Sequence, residues 1–288
     1  MRSTLESCRL TVSAIALVLS AATVHAEVTD KRTLQDSVRV PGSGPPTVIV
    51  RNVFGSVRVI AHDRETVDMT ATETITGDLR ADIDRARAEV ELRTESEDGR
   101  VAFRVRRVGS EGAGCDCNRS RWDGYRVAYD IEVHVPRDAA IEVATVNDGE
   151  VMIEGVRGNF DVSNVNGGVQ LKGLRGAGRI TTVNGPISAV FERAPAAATS
   201  FKTVNGKIDV SFPQGLAADL SFKTLHGEIY TDFDSQPIAS EPTQDRSRAG
   251  GKLVIRAGHG SAIRIGAGGP EYSFETLNGN VYVRKMSP

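Results

Sequence analysis

Hydrophobic and polar positions alternate with a period of two along most of the chain after residue 140. Such alternation is typical of β-strands that bury one face. The alternating segments come in pairs, and a short turn that is followed within two residues by Gly separates the members of each pair. The six copies of this turn are Thr145-Val146-Asn147, Asn164-Val165-Asn166, Thr182-Val183-Asn184, Thr203-Val204-Asn205, Thr224-Leu225-His226 and Thr276-Leu277-Asn278.

The six turns are regularly spaced and have matching flanks. Their third positions are separated by 19, 18, 21, 21 and 52 residues, and a period near 20 indicates a repeat architecture. An apolar residue stands two positions before each turn, so that Phe222 is predicted to point inward, between Phe201 and Phe274, and Lys223 outward. The residues of this apolar column are Val143, Val162, Ile180, Phe201, Phe222 and Phe274. A weaker seventh copy, Asn52-Val53-Phe54-Gly55, lies far upstream.

Two architectures fit this pattern. Asn-Gly between alternating strands is a strong hairpin signal, which allows an antiparallel meander. The competitor is a β-solenoid, in which each repeat forms one coil and like residues stack; the identity of residue types within each column favours it. We therefore predict an all-β protein, a β-solenoid of about 20-residue coils. Its Asn-Gly turns are expected to use positive φ, which both residues tolerate. The predicted turn ladder consists of Asn147, Asn166, Asn184, Asn205, His226 and Asn278.

The section from residue 27 to residue 140 has a different pattern and is expected to cap the solenoid of residues 141–288. It is β-rich, and the helical spacing of Leu79, Ile83, Ala86 and Val90 predicts one short helix that Asp78 caps. The long step before the last turn contains a polar stretch at about 234–250 that we expect to be an inserted loop. A degenerate coil is expected between this loop and the final coil.

The N-terminus has the features of a secretory signal peptide. Arg2 and Arg9 precede an apolar run that ends in Val24-His25-Ala26, and a basic start with a small-x-Ala end is typical of cleaved export signals. A membrane anchor is the alternative, but the run is shorter than the ~20 residues that a spanning helix needs. We predict that residues 1–26 are removed, that the mature chain has no transmembrane segment, and that it is exported to the periplasm or the cell surface.

Export affects the interpretation of the cysteines. Cys115 and Cys117 are the two that remain after cleavage, and an oxidising compartment favours a disulfide. Three interpretations stay open: a local staple of a glycine-rich loop, a redox or metal role, and a cross-link to another chain.

The chain resembles a bacterial family named putative adhesins, a domain of unknown function with β-strand repeats. The resemblance is carried by Val135-Pro136, by the train of Thr-Val-Asn-Gly turns, and by Ile265–Pro270 followed by a final turn. It covers roughly residues 47–284 and implies a fold more than an activity, since the family has no established catalytic residues to transfer.

Charge and motifs exclude several functions. The 35 basic and 37 acidic residues give a net charge of -2, which argues against nucleic acid as a partner. Phosphate-loop, nucleophile-elbow, zinc-helix and dinucleotide motifs are absent from the sequence, so we predict no enzyme activity and no cofactor.

The remaining hypothesis is a non-catalytic exported protein that binds a surface, a polysaccharide or an envelope protein, as an adhesin or as a scaffold of the envelope. Tyr230 and Tyr282 are its candidate outer-face contacts, because aromatic rings at outward positions can stack against sugars. The alternative is a β-helix carbohydrate-active enzyme in which outward carboxylates such as Asp161, Asp209 and Asp232 share one face.

Overall fold

A computed structural model describes residues 27–40, 44–109, 124–238, 244–249, 252–257 and 261–286. The signal-peptide segment and the Cys115–Cys117 pair lie outside these residues. Within them the chain forms one helix, α1 (Arg80–Glu89), and a long series of strands. The strands are β1 (Val28–Arg39), β2 (Thr47–Arg51), β3 (Val57–His62), β4 (Thr66–Gly77), β5 (Val90–Glu97), β6 (Arg100–Arg107), β7 (Tyr125–Pro136), β8 (Ala140–Ala144), β9 (Val151–Glu154), β10 (Phe160–Ser163), β11 (Val169–Leu174), β12 (Gly178–Thr181), β13 (Ile187–Phe191), β14 (Thr199–Asn205), β15 (Ile208–Phe212), β16 (Ala218–His226), β17 (Ile229–Thr231), β18 (Ser235–Pro237), β19 (Gln244–Ala249), β20 (Lys252–Ala257), β21 (Ser261–Ile265), β22 (Glu271–Asn278) and β23 (Val281–Lys285).

The strands form two sheets that face each other across a single core. The twelve-stranded sheet has the order β1-β4-β7-β3-β9-β11-β13-β15-β23-β17-β20-β19, and the eleven-stranded sheet has the order β18-β21-β16-β22-β14-β12-β10-β8-β2-β6-β5. Each coil contributes one strand to the eleven-stranded sheet, turns, and contributes the next strand to the other sheet. Neighbouring coils pair in parallel, as in β8–β10 and β9–β11. The solenoid prediction is confirmed, and the antiparallel meander is wrong for the repeats.

The predicted inward column forms the core. Val143, Val162 and Ile180 are direct partners on successive strands, and each is fully buried. Further along the stack the column becomes aromatic, and the ring centroids of Phe201 and Phe274 lie 5.0 Å apart. Burial of such side chains supplies most of the favourable free energy of folding.

The last coil does not occupy the last place in the stack. β22 lies between β14 and β16 and is parallel to both, and β23 lies in the same way between β15 and β17. The coil β22/β23 is therefore inserted between the two coils that precede it in sequence. As a result Phe274, and not Phe222, is the middle ring of the aromatic column, with Phe201 on one side and Phe222 on the other.

The first coil is inserted in the same manner at the other end. β2 pairs in parallel with both β6 and β8, and β3 pairs in parallel with both β7 and β9. The weak upstream copy of the turn thus belongs to the stack, where Phe54 bridges Asn147.

Antiparallel strands form the two ends of the stack. β4 joins β7 to β1 at one end, while β21 and β20 lie against β16 and β17 at the other. The expected degenerate coil is therefore wrong, because β20 and β21 run antiparallel to the coil they contact. The polar stretch that was expected to be a loop contains β18 and β19.

The predicted helix exists, but its start differs from the expectation. Leu79 and not Asp78 is the N-cap residue, and Asp82 accepts a hydrogen bond from the Leu79 N–H at 2.9 Å. Ile83 and Ala86 are buried, whereas Leu79 is 64% exposed. Three of the four apolar positions that predicted the helix contact the core, namely Ile83, Ala86 and Val90. Val90 lies outside the helix and is the first residue of β5.

The turn glycines serve a different purpose from the one expected. Gly167, Gly185 and Gly206 do not have positive φ, so the prediction of left-handed Asn-Gly turns is wrong. A Cβ atom at Gly185 would lie 2.1 Å from the carbonyl oxygen of Gly167 in the adjacent coil. Glycine is required because the backbones of successive coils approach closely at the turn.

Within the residues that the structure describes, no helix combines the length and the apolarity needed to cross a bilayer.

Candidate functional site

The most distinctive surface of the solenoid is a row of apolar side chains along its turn edge. The middle residue of each turn points outward, and the exposed fractions are 37% for Val146, 36% for Val165 and 37% for Val183. Large exposed apolar side chains that adjoin one another often mark interaction sites. In stack order this ridge, which we call the Val/Leu ridge, consists of Val146, Val165, Val183, Val204, Leu277 and Leu225, of which Val204 is half-buried and the others are exposed.

The ridge is straight and regular because each residue comes from the same position of a different coil. Parallel strands are spaced about 4.8 Å apart, so six positions span roughly 24 Å. Leu277 and Leu225, at the end formed by β22 and β16, are 43% and 51% exposed. The inserted coil therefore continues the ridge without a break.

A ladder of side-chain amides runs beside the ridge. Asn184 Nδ2 donates to Asn166 Oδ1 at 2.9 Å, and Asn205 Nδ2 donates to Asn184 Oδ1 at the same distance. Asn278 Nδ2 continues the series to Asn205 at 2.7 Å, although it comes from the inserted coil. The structure thus brings the predicted turn residues into one row, from Asn147 to His226, with His226 paired next to Asn278.

Buried threonines beneath the ridge fix its position. Thr182 Oγ1 donates to the Gly167 carbonyl at 3.0 Å, and Thr203 Oγ1 donates to the Gly185 carbonyl at 3.0 Å. Both threonines are 1–2% exposed. Each bond joins one coil to its neighbour, so the ridge and the ladder have a rigid base.

The central part of this edge carries no charge. The segments 164–168 and 182–186 contain only Asn, Val, Gly, Thr and Pro. Charged groups occur towards its borders, as in the ion pair between Asp148 and Arg126. A ligand that follows the centre of the edge would meet apolar and amide groups.

The two candidate tyrosines lie together on the outer face of the twelve-stranded sheet. The rings of Tyr230 and Tyr282 are stacked with centroids 4.9 Å apart and an interplanar angle of 6°. The Arg284 guanidinium lies 5.0 Å from the Tyr282 ring centroid, and it is bound to Asp209 at 2.7 and 3.1 Å. The hydrogen bond to Asp209 raises the pKa of Arg284, because it favours the charged guanidinium.

Two side chains pack against the Tyr282 ring. Arg284 leans towards β15, where Asp209 lies, while Tyr230 stacks from β17 on the opposite side. The hydroxyl of Tyr282 also accepts a hydrogen bond from Asn280 Nδ2 at 3.2 Å. The ring of Tyr282 is therefore engaged by neighbours within its own sheet, and a sugar that stacked on it would compete with these contacts.

The three carboxylates of the alternative enzyme hypothesis do not share one face, although Asp209 and Asp232 both lie near the Arg284 guanidinium. Asp161 lies on β10 of the eleven-stranded sheet, whereas Asp209 lies on β15 of the twelve-stranded sheet. Asp232 follows β17, which belongs to the same sheet as β15. Among the described residues there is also no group of three or more His, Cys, Asp or Glu side chains suited to hold a metal ion.

Comparison with known families identifies the central repeats. Residues 133–268 match the family described as Toastrack DUF4097. This stretch of the chain is similar to that family. This segment covers a little less than half of the 288 residues, and it confirms the resemblance to an adhesin-like family of β-repeat domains. It begins within β7 and stops before β22, so the inserted first and last coils lie outside the Toastrack segment.

Several solved structures are similar to the chain. A putative cell adhesion protein from Clostridium sporogenes is 11% identical, with 88% of this chain and 100% of that chain covered and a TM-score of 0.36. A putative adhesin from Bacteroides fragilis is 12% identical, with 88% and 97% covered and a TM-score of 0.39. A putative lipid binding protein from Parabacteroides distasonis is 10% identical, with 88% and 97% covered and a TM-score of 0.26. No curated protein is significantly similar in sequence.

The sequence prediction named the asparagines and missed the ridge beside them. The signal was present, because an apolar residue follows each inward Thr or Asn and therefore occupies an outward position. In an ordinary exposed strand this position is polar, as it is at Lys202 and Lys223. An outward Val or Leu in all six turns is the pattern that could have revealed the ridge.

Replacing Asn184 with alanine is expected to lower the free energy of unfolding by about 1 kcal/mol, the usual net value of a hydrogen bond. Asn184 donates one ladder bond and accepts another, but the ladder is exposed to water, which limits the loss. Chemical denaturation would measure the change, with Ser188→Ala on the outer face of β13 as the control. An Asn184→Ala effect no larger than that of the control would contradict a stabilising role for the ladder.

Proposed function

We propose that this protein is an exported, non-catalytic binding protein that holds an uncharged polysaccharide of the cell envelope along its turn edge. The observation that carries this proposal is the Val/Leu ridge, a straight apolar row that is rigid and exposed. The aligned asparagine ladder adds hydrogen-bonding groups along the same line.

The chemistry of the edge suits a neutral glycan chain. Sugar rings present apolar C–H faces and hydroxyl groups side by side, and the ridge and ladder present aliphatic and amide groups in the same way. An asparagine amide has two N–H donors and two acceptor lone pairs on its oxygen. Asn184 uses one donor and one acceptor within the ladder, so one of each is available to hydroxyl groups of a ligand.

The rigidity of the edge favours binding. The threonine bonds and the amide ladder fix the side chains before a ligand arrives. A pre-organised surface loses little conformational entropy when it binds, which improves affinity for a given contact area. The absence of charge at the centre of the edge favours a neutral polymer over an anionic one.

Export and the lack of catalysis are part of the same proposal. Residues 1–26 have the sequence features of a signal peptide. The separation of Asp161 from Asp209 on different sheets supports a binding role over the carbohydrate-active enzyme. A protein of the envelope is the second candidate partner.

The test is a binding measurement between the chain from Glu27 to Pro288 and purified neutral and anionic envelope polysaccharides. We expect the neutral polymers to bind, and Val165→Ser and Val183→Ser to weaken binding. Removing a partly exposed valine from an apolar contact costs ~1 kcal/mol, which corresponds to roughly a fivefold increase in Kd for each change.

Val190→Ser is the matched control, because Val190 points outward from the same coil as Val183 but lies on the sheet face. Equal loss from the control and the ridge variants would contradict the proposed site. Preferential binding of the anionic polymers would contradict the neutral-glycan assignment. Hydrolysis of any tested polymer would reopen the enzyme alternative.

A further inference from the structure

The inserted coil β22/β23 has the same relation to both of its neighbours. Phe274 is the direct partner of Phe201 on β14 and of Phe222 on β16. On the other sheet, Val281 is the direct partner of Ile208 on β15 and of Ile229 on β17. The coil therefore occupies a slot whose two walls present identical positions of the repeat.

The two walls are complementary to each other as well as to the inserted coil. Phe274 is the direct partner of both Phe201 and Phe222. If β22 were absent and β14 and β16 came together, Phe201 would therefore face Phe222 in the same register. The same holds for the glycine stack, in which Gly279 lies between Gly206 and Gly227. The slot can thus close as an ordinary step of the solenoid, without exposing the inward column of either wall.

The connection into the slot is a short glycine-rich crossing. Residues 266–270 lead from β21, on one side of β16, to β22 on its other side. Gly266 and Gly268 have φ of 59° and 77°, and a Cβ atom at Gly269 would lie 2.8 Å from the carbonyl oxygen of Ala217. The crossing bends tightly over the backbone of Ala217. If the crossing adopted an extended conformation, β22 and β23 would lie away from the stack of their own chain.

We propose that the coil β22/β23 is exchanged between two copies of this chain, each copy filling the slot of the other. The partner at this slot is a second copy of the chain, because the β22/β23 coil of that copy presents the matching residue in every column of the slot. A swapped coil makes the same contacts as the native one, and only the conformation of the crossing differs. Exchange proceeds through an open state in which β22 and β23 have left the slot. Pairing of β14 with β16 closes the vacated slot and lowers the free energy of this state.

The direct test uses two single-cysteine chains in which the native cysteines are replaced by serine. One chain carries Ser200→Cys on β14 and the other carries Ser273→Cys on β22, positions that are direct partners across the slot wall. Adjacent strands are about 4.8 Å apart, within the range of Cα separations that a disulfide accepts. The two chains carry different tags, are mixed in the native state at increasing concentration, and are then oxidised.

A mixed disulfide between the two tagged chains is expected, and a tenfold increase in concentration should raise its fraction by about tenfold while dimer is the minor species. The control mixes Ser200→Cys with Ser188→Cys, since Ser188 lies on the other sheet and reports random collision. A mixed disulfide no more abundant than in this control would overturn the proposal. The chain that carries both Ser200→Cys and Ser273→Cys must close internally, which verifies the geometry.

Slot closure has a separate readout in the single chain. Ser200 and Ser221 are both direct partners of Ser273, so two strand spacings, about 9.6 Å, separate them while the coil is in place. A disulfide cannot bridge that distance. Slow formation of an internal disulfide in the chain with Ser200→Cys and Ser221→Cys is expected, and its absence over the period in which mixed disulfides form would contradict closure of the slot.

Discussion

Replacing Phe222 with alanine is expected to lower the free energy of unfolding by about 3–5 kcal/mol, as is usual for a buried aromatic residue. Phe222 is 2% exposed, and its ring stacks on Phe274 at a centroid distance of 5.1 Å. The fixed spacing of the coils prevents the walls from collapsing onto the cavity. Denaturant unfolding followed by far-UV circular dichroism would measure the change.

Lys223→Ala is the matched control for this prediction. The lysine side chain is 72% exposed and forms an ion pair with Glu275 at 3.5 Å, and such surface pairs contribute only about 0–1 kcal/mol. The two substitutions are adjacent in sequence and differ in the face to which they point. Similar effects from both would mean that the inward and outward positions of β16 are assigned wrongly.

Gly185→Ala is expected to be the other strongly destabilising change, with a loss of about 3 kcal/mol, at the upper end of the usual range for overpacking. The new Cβ atom would lie 2.1 Å from the Gly167 carbonyl oxygen, which is a backbone atom that cannot rotate away. The adjacent coils must separate locally, and this movement weakens the hydrogen bond from Thr203 to Gly185 as well. Thermal melting would show the loss as a lower Tm.

Gly215→Ala is the control for the turn glycines. No heavy atom lies within 4 Å of a Cβ atom at Gly215, and its φ is not positive. Alanine there reduces the entropy of the unfolded chain and is expected to change stability by less than about 1 kcal/mol. A Tm for Gly185→Ala equal to that for Gly215→Ala would contradict the close approach of the coils.

The repeat pattern predicted the coil but not the order of the coils. Column identity shows that Phe201, Phe222 and Phe274 occupy equivalent positions, and all three are indeed in one stack. Equivalence does not specify neighbours, because any coil of the repeat fits against any other in the same register. The sequence hints were the 52-residue step and the isolated upstream copy at Asn52, both of which mark a coil that is inserted between others.

The sequence predicted only part of the candidate site, because the rest depends on where each turn begins and on the order of the coils. The asparagines repeat conspicuously, and the structure places them in a hydrogen-bonded row. The exposure of Val146 and its equivalents depends on where the strand ends and the turn begins, and alternation alone does not define that point. The covering of Tyr282 by Arg284 depends on a contact between β23 and β15, which requires the coil order.

The insertion of the last coil also determines how the chain can fold. A solenoid with coils in sequence order can grow one coil at a time from short-range contacts. Here Asn205 and Asn278 are hydrogen-bonded although they lie 73 residues apart, and the walls of the slot are synthesised before the coil that separates them. Contacts of such high sequence separation slow folding. Because β23 ends at Lys285, the native stack is completed only after synthesis has passed that residue. Until then β14 and β16 can pair with each other.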